Sequence, residues 1–350
     1  MNTKIARGMR AAGLCAAVAT AFLHASVLTP ARAVAAQDEA DWAAVELAAR
    51  GEGRLVFYSG ASPMITAQLA RLFEDRYGIP VEVIVGLSSE LNERVRAEQG
   101  TTKPVGDVIV GGVSSASEHA AAGAFQSYGT LPGRERISRP FSDNGMIVPV
   151  YMTSFGMLVN TDAVASGDEP KSWSDILDPK WAGKLLSDSP WRPGAGRASY
   201  TVLYDRYGPT FHQQLAALKP SFSTSYTVAE RQIGRGEYSL YFPFILRDIV
   251  NLSGLPVKRI VPDEGAIFSY QVGAILKRAP HPNAARLFLE FMLSDQVQRV
   301  FADRGYISVT DVVSTRAQKE KRVRRPIRLF DFAAPAHQLE MQPVLMKIYK

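Results

Sequence analysis

LVFYSG (residues 55–60), PVEVIVG (80–86) and VGDVIVGG (105–112) repeat one pattern, a short apolar run that ends in serine or glycine. A helix-like segment follows each run and opens at Ser62-Pro63, at Ser88-Ser89-Glu90 and at Ser115-Ala116-Ser117-Glu118. Continuously apolar runs that alternate with helices predict parallel strands covered by helices on both faces. In such a sheet every strand-to-helix turn lies at the carboxyl edge, where ligands usually bind. This stretch therefore predicts an α/β fold with its site at the three turns.

The three turns are rich in small residues with hydroxyl or backbone N–H groups. They comprise Ser59, Gly60 and Ser62 in the first turn, Ser88 and Ser89 in the second, and Gly112, Ser114 and Ser115 in the third. Backbone N–H groups at a helix N-terminus favour an anion. Each serine could instead be only a helix cap, and that alternative is strongest for Ser62 and Ser115. The turns predict an anion site.

Residues 1–36 have the pattern of a cleaved signal peptide. Lys4, Arg7 and Arg10 form a basic start, an apolar stretch covers 11–23, and small residues at 31–36 suit cleavage after 33 or after 36. The apolar stretch is too short to span a membrane. We therefore expect an exported, periplasmic protein.

Composition excludes several classes of function. The chain has 350 residues and a formal net charge of +6, but four of its 40 basic residues and its one cysteine lie in residues 1–36. The remaining charge is close to balanced and gives no reason to expect nucleic acid as a partner. A cysteine-free mature chain has no disulfide and no thiolate metal site. The basic segment 316–328 is either a solvated surface or a contact with a membrane or partner.

Two long extended segments divide the chain. MIVPVYMTSFGMLVN (146–160) and AIFSYQVGAILKR (266–278) are apolar and favour strand, and each is long enough to leave one lobe and enter another. They predict lobe 1 from residues 45–150 plus 266–305, lobe 2 inserted as 151–265, and a C-terminal segment over 306–350. A ligand cleft would lie between the lobes, with Tyr151 and Ser154 on the first crossing strand. Tyr151 could equally be hinge packing.

The predicted second lobe repeats the strand–turn–helix design at LLSDSP (185–190). A glycine-rich stretch follows, with Arg192 and Arg197 beside it, and a guanidinium can bind a carboxylate or phosphate through two hydrogen bonds. The residues expected to close on an anion here are Ser189, Arg192, Gly194, Arg197 and Tyr241. Trp191 is either a lid or a packed aromatic. Thr227-Val228-Ala229-Glu230 predicts a capping box, and a helix is expected from about Phe244 to Leu252.

Catalytic patterns are scarce. The four histidines after residue 36 are His119, His212, His281 and His337, and none has a His or carboxylate at a recognised metal spacing. The sequence has no G-x-S-x-G elbow and no P-loop. We expect a protein that is not an enzyme and needs no cofactor or metal.

The chain resembles the periplasmic solute-binding proteins of ABC importers, in the ferric-ion-binding branch, over about residues 52–345. The motifs that carry the resemblance are LVFYSGA, FEDRYGIPVEVIVGLSSEL, RVRAEQ, GDVIVGG, PKSWSDILDPKWAGKLL, GRGEYSL and HPNAARLFLEFMLSDQVQ. The resemblance implies the type 2 periplasmic-binding fold: two α/β lobes, hinge strands, a cleft that closes on a solute, and delivery to an inner-membrane permease.

The resemblance also implies an iron site, and there the sequence departs from the pattern. Ferric members place a histidine in the first turn, where this chain has Ser62, and a glutamate after the third strand, where it has Gly112. They use adjacent tyrosines in the second lobe, whereas Tyr241 is followed by Phe242. Ferric iron is a hard cation, and one tyrosine among serines and glycines is a poor set of ligands for it.

We therefore predict a monomeric receptor that captures a small anionic solute (a phosphonate, a sugar phosphate or an organic acid) for an ABC importer. Two alternatives stay open. One is a protein that binds ferric ion or a ferric complex, and the other is a solute-sensing partner of a signalling receptor.

Overall fold

The three apolar runs form strands β1 (Leu55–Ser59), β2 (Val81–Val85) and β3 (Val108–Gly112). β1 pairs in parallel with both neighbours, with Leu55 opposite Val81 and Phe57 opposite Val108. β1 is buried along its whole length, whereas β2 is only partly covered because it is the edge strand. The expectation of strands buried on both faces is confirmed for β1 and wrong for β2.

This computed structural model describes residues 42–86, 88–138, 141, 145–223, 225–311 and 328–350, except for the side chains at 88, 89 and 99. Residues Ala44–Lys350 form one compact unit. The predicted signal peptide and nearly all of the basic segment 316–328 lie outside the described residues.

Helices α1 (42–52), α2 (Pro63–Tyr77), α3 (Ser88–Gln99) and α4 (Val113–Ala121) accompany these strands. Pro63 occupies the first turn of α2, where its missing N–H costs no hydrogen bond. Gly78 ends the same helix in the left-handed conformation, with φ of 70°. Helix α4 begins at Val113 rather than at the predicted Ser115, because Gly112 already has the extended conformation of an N-cap.

Two long strands join the halves of the sheet. β4 (Phe125–Gln126) is short, β5 (Ile147–Asn160) is buried along all 14 residues, and β10 (Ile267–Leu276) runs antiparallel to β5. β10 also pairs with β3, and β5 with β8, so the sheet order is β2-β1-β3-β10-β5-β8-β6-β7. We call β2, β1 and β3 with their helices the first half, and β8, β6 and β7 with theirs the second half. The lobe boundaries predicted at 150 and 266 fall at β5 and β10 and stay predictions.

The second half contains β6 (Leu185–Asp188), β7 (Ser221–Ser223), β8 (Leu240–Ile245) and β9 (Val257–Ile260). β6 pairs in parallel with both β7 and β8. Its helices are α5 (Ala195–Ala217), which is kinked at Gly208-Pro209, and α6 (Tyr226–Gly234). Short 3₁₀ helices cover Trp173–Leu177, Pro179–Trp181 and Leu246–Leu252, and another, Pro132–Arg136, precedes β5.

Two local predictions in the second half are wrong. The N-cap of α6 is Ser225, whose hydroxyl accepts a hydrogen bond from the Val228 N–H, so Thr227 lies inside the helix and not at a capping box. Phe244 lies in the buried strand β8, which ends at Ile245, and the 3₁₀ helix begins only at Leu246.

The chain ends with α7 (Pro282–Met292), α8 (Asp295–Asp303), β11 (Ile307–Ser308) and α9 (Pro335–Tyr349). Met341 and Leu345 of α9 belong to the same hydrophobic cluster as Tyr200 and Phe211 of α5. The C-terminal helix therefore completes the core of the second half.

Candidate functional site

The first-half turns lie next to one another. The Gly60 N–H donates to the Val110 carbonyl at 3.1 Å, and the Gly86 N–H donates to the Ser59 carbonyl at 3.3 Å. A small pocket behind the turns brings together residues of β3, α3 and α4, among them Gly60, Asn92, Gly111, Gly112, Ser115 and His119. Gly60 and Gly112 of the predicted site are therefore neighbours. Ser88 and Ser89 begin α3, and their side chains lie outside the described residues.

At three helices next to the strand ends, the N-cap residue itself makes no side-chain cap hydrogen bond. Their N-caps are Ser62 for α2, Gly112 for α4 and Gly194 for α5, and no acidic residue lies in any of the three first turns. In contrast, Ser294 caps α8 and Glu52 accepts the first N–H groups of α7. An uncapped N-terminus keeps free N–H groups and the positive end of the helix dipole. These three ends can accept an anion.

The serine hydroxyls predicted for the site have different environments. The Ser59 hydroxyl lies 2.8 Å from that of Thr66 and accepts from the Ala61 N–H, so it stabilises its own turn. The Ser114 hydroxyl donates to Gln338 of α9 at 2.7 Å. Ser62 is exposed.

Tyr151 and Ser154 lie on β5 and are both buried. The Tyr151 ring packs against Phe301 and Tyr306, with ring centroids 4.5 and 4.6 Å apart. These contacts favour the hinge-packing interpretation of Tyr151.

The turn after β6 packs tightly on the start of α5. A Cβ on Gly196 would lie 2.4 Å from the Ser189 carbonyl oxygen, so only glycine fits there. Gly194 has a φ of 137°, which also favours glycine. The Ser189 hydroxyl is buried and has no hydrogen-bond partner among the described residues. Arg192 is exposed.

Arg197 was predicted to bind an anion, and its guanidinium is already held by protein groups. Its side chain is 1% exposed, with Nη2 2.7 Å from Glu118 Oε1 of α4 and Nη1 3.0 Å from Gln342 Oε1 of α9. Arg197 therefore connects α5 with α4 and α9. Its role toward a solute stays a prediction.

Tyr241 of the predicted site belongs to a cluster of acids and phenols whose other members the sequence analysis did not assign to the site. The Tyr241 hydroxyl donates to Asp188 Oδ1 at 2.7 Å. Burial, with a smaller effect of the Glu230 charge, raises the pKa of Asp188 to about 7. Burial and the nearby Asp248 charge likewise raise the pKa of Glu230 to about 7. The hydroxyl of Tyr226, which begins α6, lies beside the Ala195 N–H. In the sequence, Asp188 stands within LLSDSP, and Glu230 is the last residue of the predicted capping box.

Arg247 is a second residue that the sequence did not single out. Its guanidinium lies over the Tyr306 ring at 4.3 Å, donates to the Tyr306 hydroxyl, and has Nε 3.4 Å from Asp248 Oδ1. Because Tyr306 packs on Tyr151, Arg247 links the second half to the hinge strand.

A sequence profile of the bacterial extracellular solute-binding proteins matches residues 103–328. The chain belongs to this family. Its members are extracellular solute-binding proteins of the ABC-transporter type. The family is one of binding proteins and not of enzymes. The resemblance identified from the sequence is thereby confirmed.

Two curated relatives of this solute-binding protein are similar over part of their length. An uncharacterized protein of Haemophilus influenzae is 27% identical over 278 residues, which cover 75% of this chain and 79% of the relative. The phosphoglycerate transport regulatory protein PgtC of Salmonella typhimurium is 26% identical over 175 residues, which cover 47% of this chain and 43% of PgtC.

Two solved structures share the fold. The periplasmic binding protein AfuA from Actinobacillus pleuropneumoniae, with fructose-6-phosphate bound, has 24% identity and a TM-score of 0.66 over 84% of this chain and 97% of AfuA. The ferric binding protein from Campylobacter jejuni has 18% identity and a TM-score of 0.69 over 84% of this chain and 98% of that protein. These likenesses confirm the predicted two-lobed α/β fold.

The described residues contain no group of three or more His, Cys, Asp or Glu side chains placed to hold a metal ion. The Asp188–Tyr241 pair supplies one carboxylate and one phenol. In the same described part of the chain, no helix is both long and apolar enough to cross a membrane. The expectation that the protein needs no cofactor stays a prediction.

Proposed function

We propose that this protein is the periplasmic receptor of an ABC importer and that it captures a small anionic solute between its two halves. The N-termini of α2, α4 and α5 carry this proposal, because they place helix starts without an N-cap side-chain bond and without an acidic first turn at the strand ends of both halves. Phosphonates, sugar phosphates and organic acids are the solute classes that fit. The name of PgtC and the fructose-6-phosphate bound to AfuA support a phosphorylated solute.

The available donors are sufficient for useful affinity. A micromolar dissociation constant corresponds to about −8 kcal/mol. Hydrogen bonds to a charged group contribute roughly 1.5–3 kcal/mol each, and each helix dipole adds about 0.3–1 kcal/mol. Several N–H donors on one anion reach the required value after the entropy cost of capture. Closure of the halves about β5 and β10 would then present the trapped solute to an inner-membrane permease, with the receptor acting as a monomer.

A thermal-shift panel of phosphates, phosphonates, carboxylates and ferric complexes tests the proposal, because a ligand that binds only the folded state raises stability by mass action. The sharpest variant is Gly112→Asp. A Cβ at Gly112 meets nothing within 4 Å, so the new carboxylate can cap α4 without strain. We expect it to stabilise the ligand-free protein by about 0.5 kcal/mol and to abolish the shift caused by the anion.

Gly112→Asn is the matched control, since it adds a neutral cap of the same size and should retain most of the ligand shift. If the anion still raises the melting temperature of Gly112→Asp as much as that of the wild type, α4 is not part of the site. The proposal as a whole fails if nothing in the panel shifts the melting of the wild-type protein.

Binding of ferric ion or a ferric complex is the second candidate. The phenol–carboxylate pair Tyr241–Asp188 favours it, because both oxygens are hard ligands. Two protein oxygens leave most of the coordination sphere to a bound anion, so a ferric complex fits better than the bare ion. Native mass spectrometry of the purified protein separates the candidates by the mass of any retained ligand.

A role in sensing rather than uptake is supported by the name of PgtC, a transport regulatory protein. Uptake assays in a deletion strain test it. Loss of solute uptake supports transport, and retained uptake with a lost response to the solute supports sensing.

A further inference from the structure

The charges of the second half do not match those that an anion alone would need. Its buried Arg197 is neutralised by Glu118, and Arg247 lies against Asp248. Asp188 and Glu230 have no salt bridge to any described residue. At this end of the second half, β6 therefore contributes the acid Asp188 and α6 contributes the acid Glu230.

The two carboxylates have few hydrogen-bond donors. Asp188 is 7% exposed and Glu230 is 8% exposed. Among the residues that the structure describes, the Asp188 carboxylate accepts one hydrogen bond, from Tyr241 to Oδ1, and no side-chain hydrogen bond reaches the Glu230 carboxylate. The hydroxyl of Ser189, beside Asp188 in sequence, is buried and unpartnered within the same set of residues. The Ser189 hydroxyl is a buried polar atom left without a partner among those residues, which is unfavourable, and the two carboxylates can accept further hydrogen bonds, so these oxygens are suited to groups that come from outside the chain.

The unsatisfied groups converge at the start of α5. Asp188 ends β6 and Ser189 follows it, and the Asp188 Cβ lies 2.9 Å from the position that a Cβ on Gly196 would take. Glu230 is close enough to influence the ionisation of Asp188. The Tyr226 hydroxyl, one turn of α6 before Glu230, lies 3.6 Å from the corresponding Cβ position on Gly194. The acceptors therefore adjoin one of the three uncapped helix ends.

We propose that Asp188, Ser189 and Glu230 form a subsite for hydroxyl groups, so that the solute is a polyhydroxylated anion such as a sugar phosphate. This inference rests on the proposed function, which supplies the anion site at the helix ends. A hydroxyl donates to the carboxylates and accepts from Ser189. Alkyl phosphonates and simple carboxylic acids lack such hydroxyls and would leave the buried acceptors unpaired.

An ammonium group is the competing donor. It requires ionised carboxylates, whereas burial raises the pKa of both acids to about 7, so that only part of them is ionised at neutral pH. A hydroxyl can bond to a carboxyl group in either state, and the Ser189 hydroxyl, unpartnered among the described residues, can donate to a solute hydroxyl but not to an ammonium group.

Calorimetric titration of the purified mature protein with matched pairs tests the subsite. The pairs are fructose 6-phosphate with hexyl phosphate, and glycerol 3-phosphate with propyl phosphate; ethanolamine phosphate and D-fructose complete the set. We expect at least one hydroxylated phosphate to bind ten-fold or more tightly than its alkyl match. Glu230→Gln and Asp188→Asn should each weaken that ligand about ten-fold and change the affinity for the alkyl phosphate less than two-fold.

Glu237→Gln is the control variant, because Glu237 is an exposed acid on the turn after α6 and should leave both affinities unchanged. Three results would contradict the subsite without contradicting the anion receptor. They are equal affinities within each pair, equal losses of affinity for both ligands in Glu230→Gln, and tightest binding of ethanolamine phosphate. Binding of D-fructose that is lost in Glu230→Gln, without phosphate dependence, would support the subsite and contradict the anion receptor. No binding of any probe would contradict both.

Discussion

Replacing Glu230 with glutamine is expected to stabilise the ligand-free protein at pH 8. Burial and the Asp248 charge raise the pKa of Glu230 from 4.5 to about 7 in the folded protein, whereas the unfolded chain keeps the ordinary value. At pH 8 the folded protein therefore holds an ionised carboxylate in a buried position. Since one pKa unit is worth about 1.4 kcal/mol, the shift corresponds to a cost of at most about 3 kcal/mol.

The direction of the Glu230 pKa shift determines the pH range in which glutamine should stabilise the protein. Between about pH 4.5 and 7 the folded state retains a proton on Glu230 that the unfolded state has lost. The stability of the wild-type protein due to this group therefore falls as pH rises through that range and is constant above it. Glutamine is neutral throughout, so its advantage over Glu230 should grow by about 2–3 kcal/mol from pH 5 to pH 8.

Urea unfolding of both proteins at pH 5 and pH 8, followed by tryptophan fluorescence, measures this difference. Glu237→Gln serves again as the control, and its stability should differ from the wild type by less than about 0.5 kcal/mol at either pH. The reasoning is refuted if Glu230→Gln is less stable than the wild type at pH 8, or if the difference between the two proteins does not change with pH.

Two further predictions concern other contacts. Gly196→Ala should lower stability by about 1–3 kcal/mol, because the new Cβ would lie 2.4 Å from the Ser189 carbonyl oxygen. Gly111→Ala is the control, since nothing lies within 4 Å of its Cβ position. Equal thermal unfolding of the two variants would contradict this prediction. The hydrogen bond to Asp205 raises the pKa of His337 above 6.5, so NMR titration should show a raised value that Asp205→Asn returns toward 6.5. The stabilisation from this pair is present below pH 6.5 and is lost as pH rises through the folded-state pKa; an unchanged titration in the variant would show that Asp205 is not the cause.

The parts of the fold that depend on local pattern could be predicted from the sequence. The apolar runs at 146–160 and 266–278 predicted β5 and β10 to within two residues of each end, because unbroken β-branched and aromatic residues favour a long buried strand. Ser62-Pro63 correctly located the start of α2, since proline is suited to a first helical turn.

The sequence could not reveal contacts between distant residues. Glu230 follows Thr227 at capping-box spacing, but Ser225 caps the helix and leaves Glu230 buried. Arg197 has the chemistry of an anion-binding residue, and only the folded chain shows that Glu118, 79 positions earlier, already pairs with it. Sequence spacing does not report which charges neutralise one another across the fold.

The contacts of helix α9 have a consequence for how the protein folds during synthesis. Met341 and Leu345 fill the core of the second half, and Gln338 and Gln342 bond to Ser114 of α4 and Arg197 of α5. These four residues follow every strand of the sheet in the chain. A growing polypeptide can therefore pair all the described strands and still lack part of its interior, so completion of the native state waits for α9 to be synthesised.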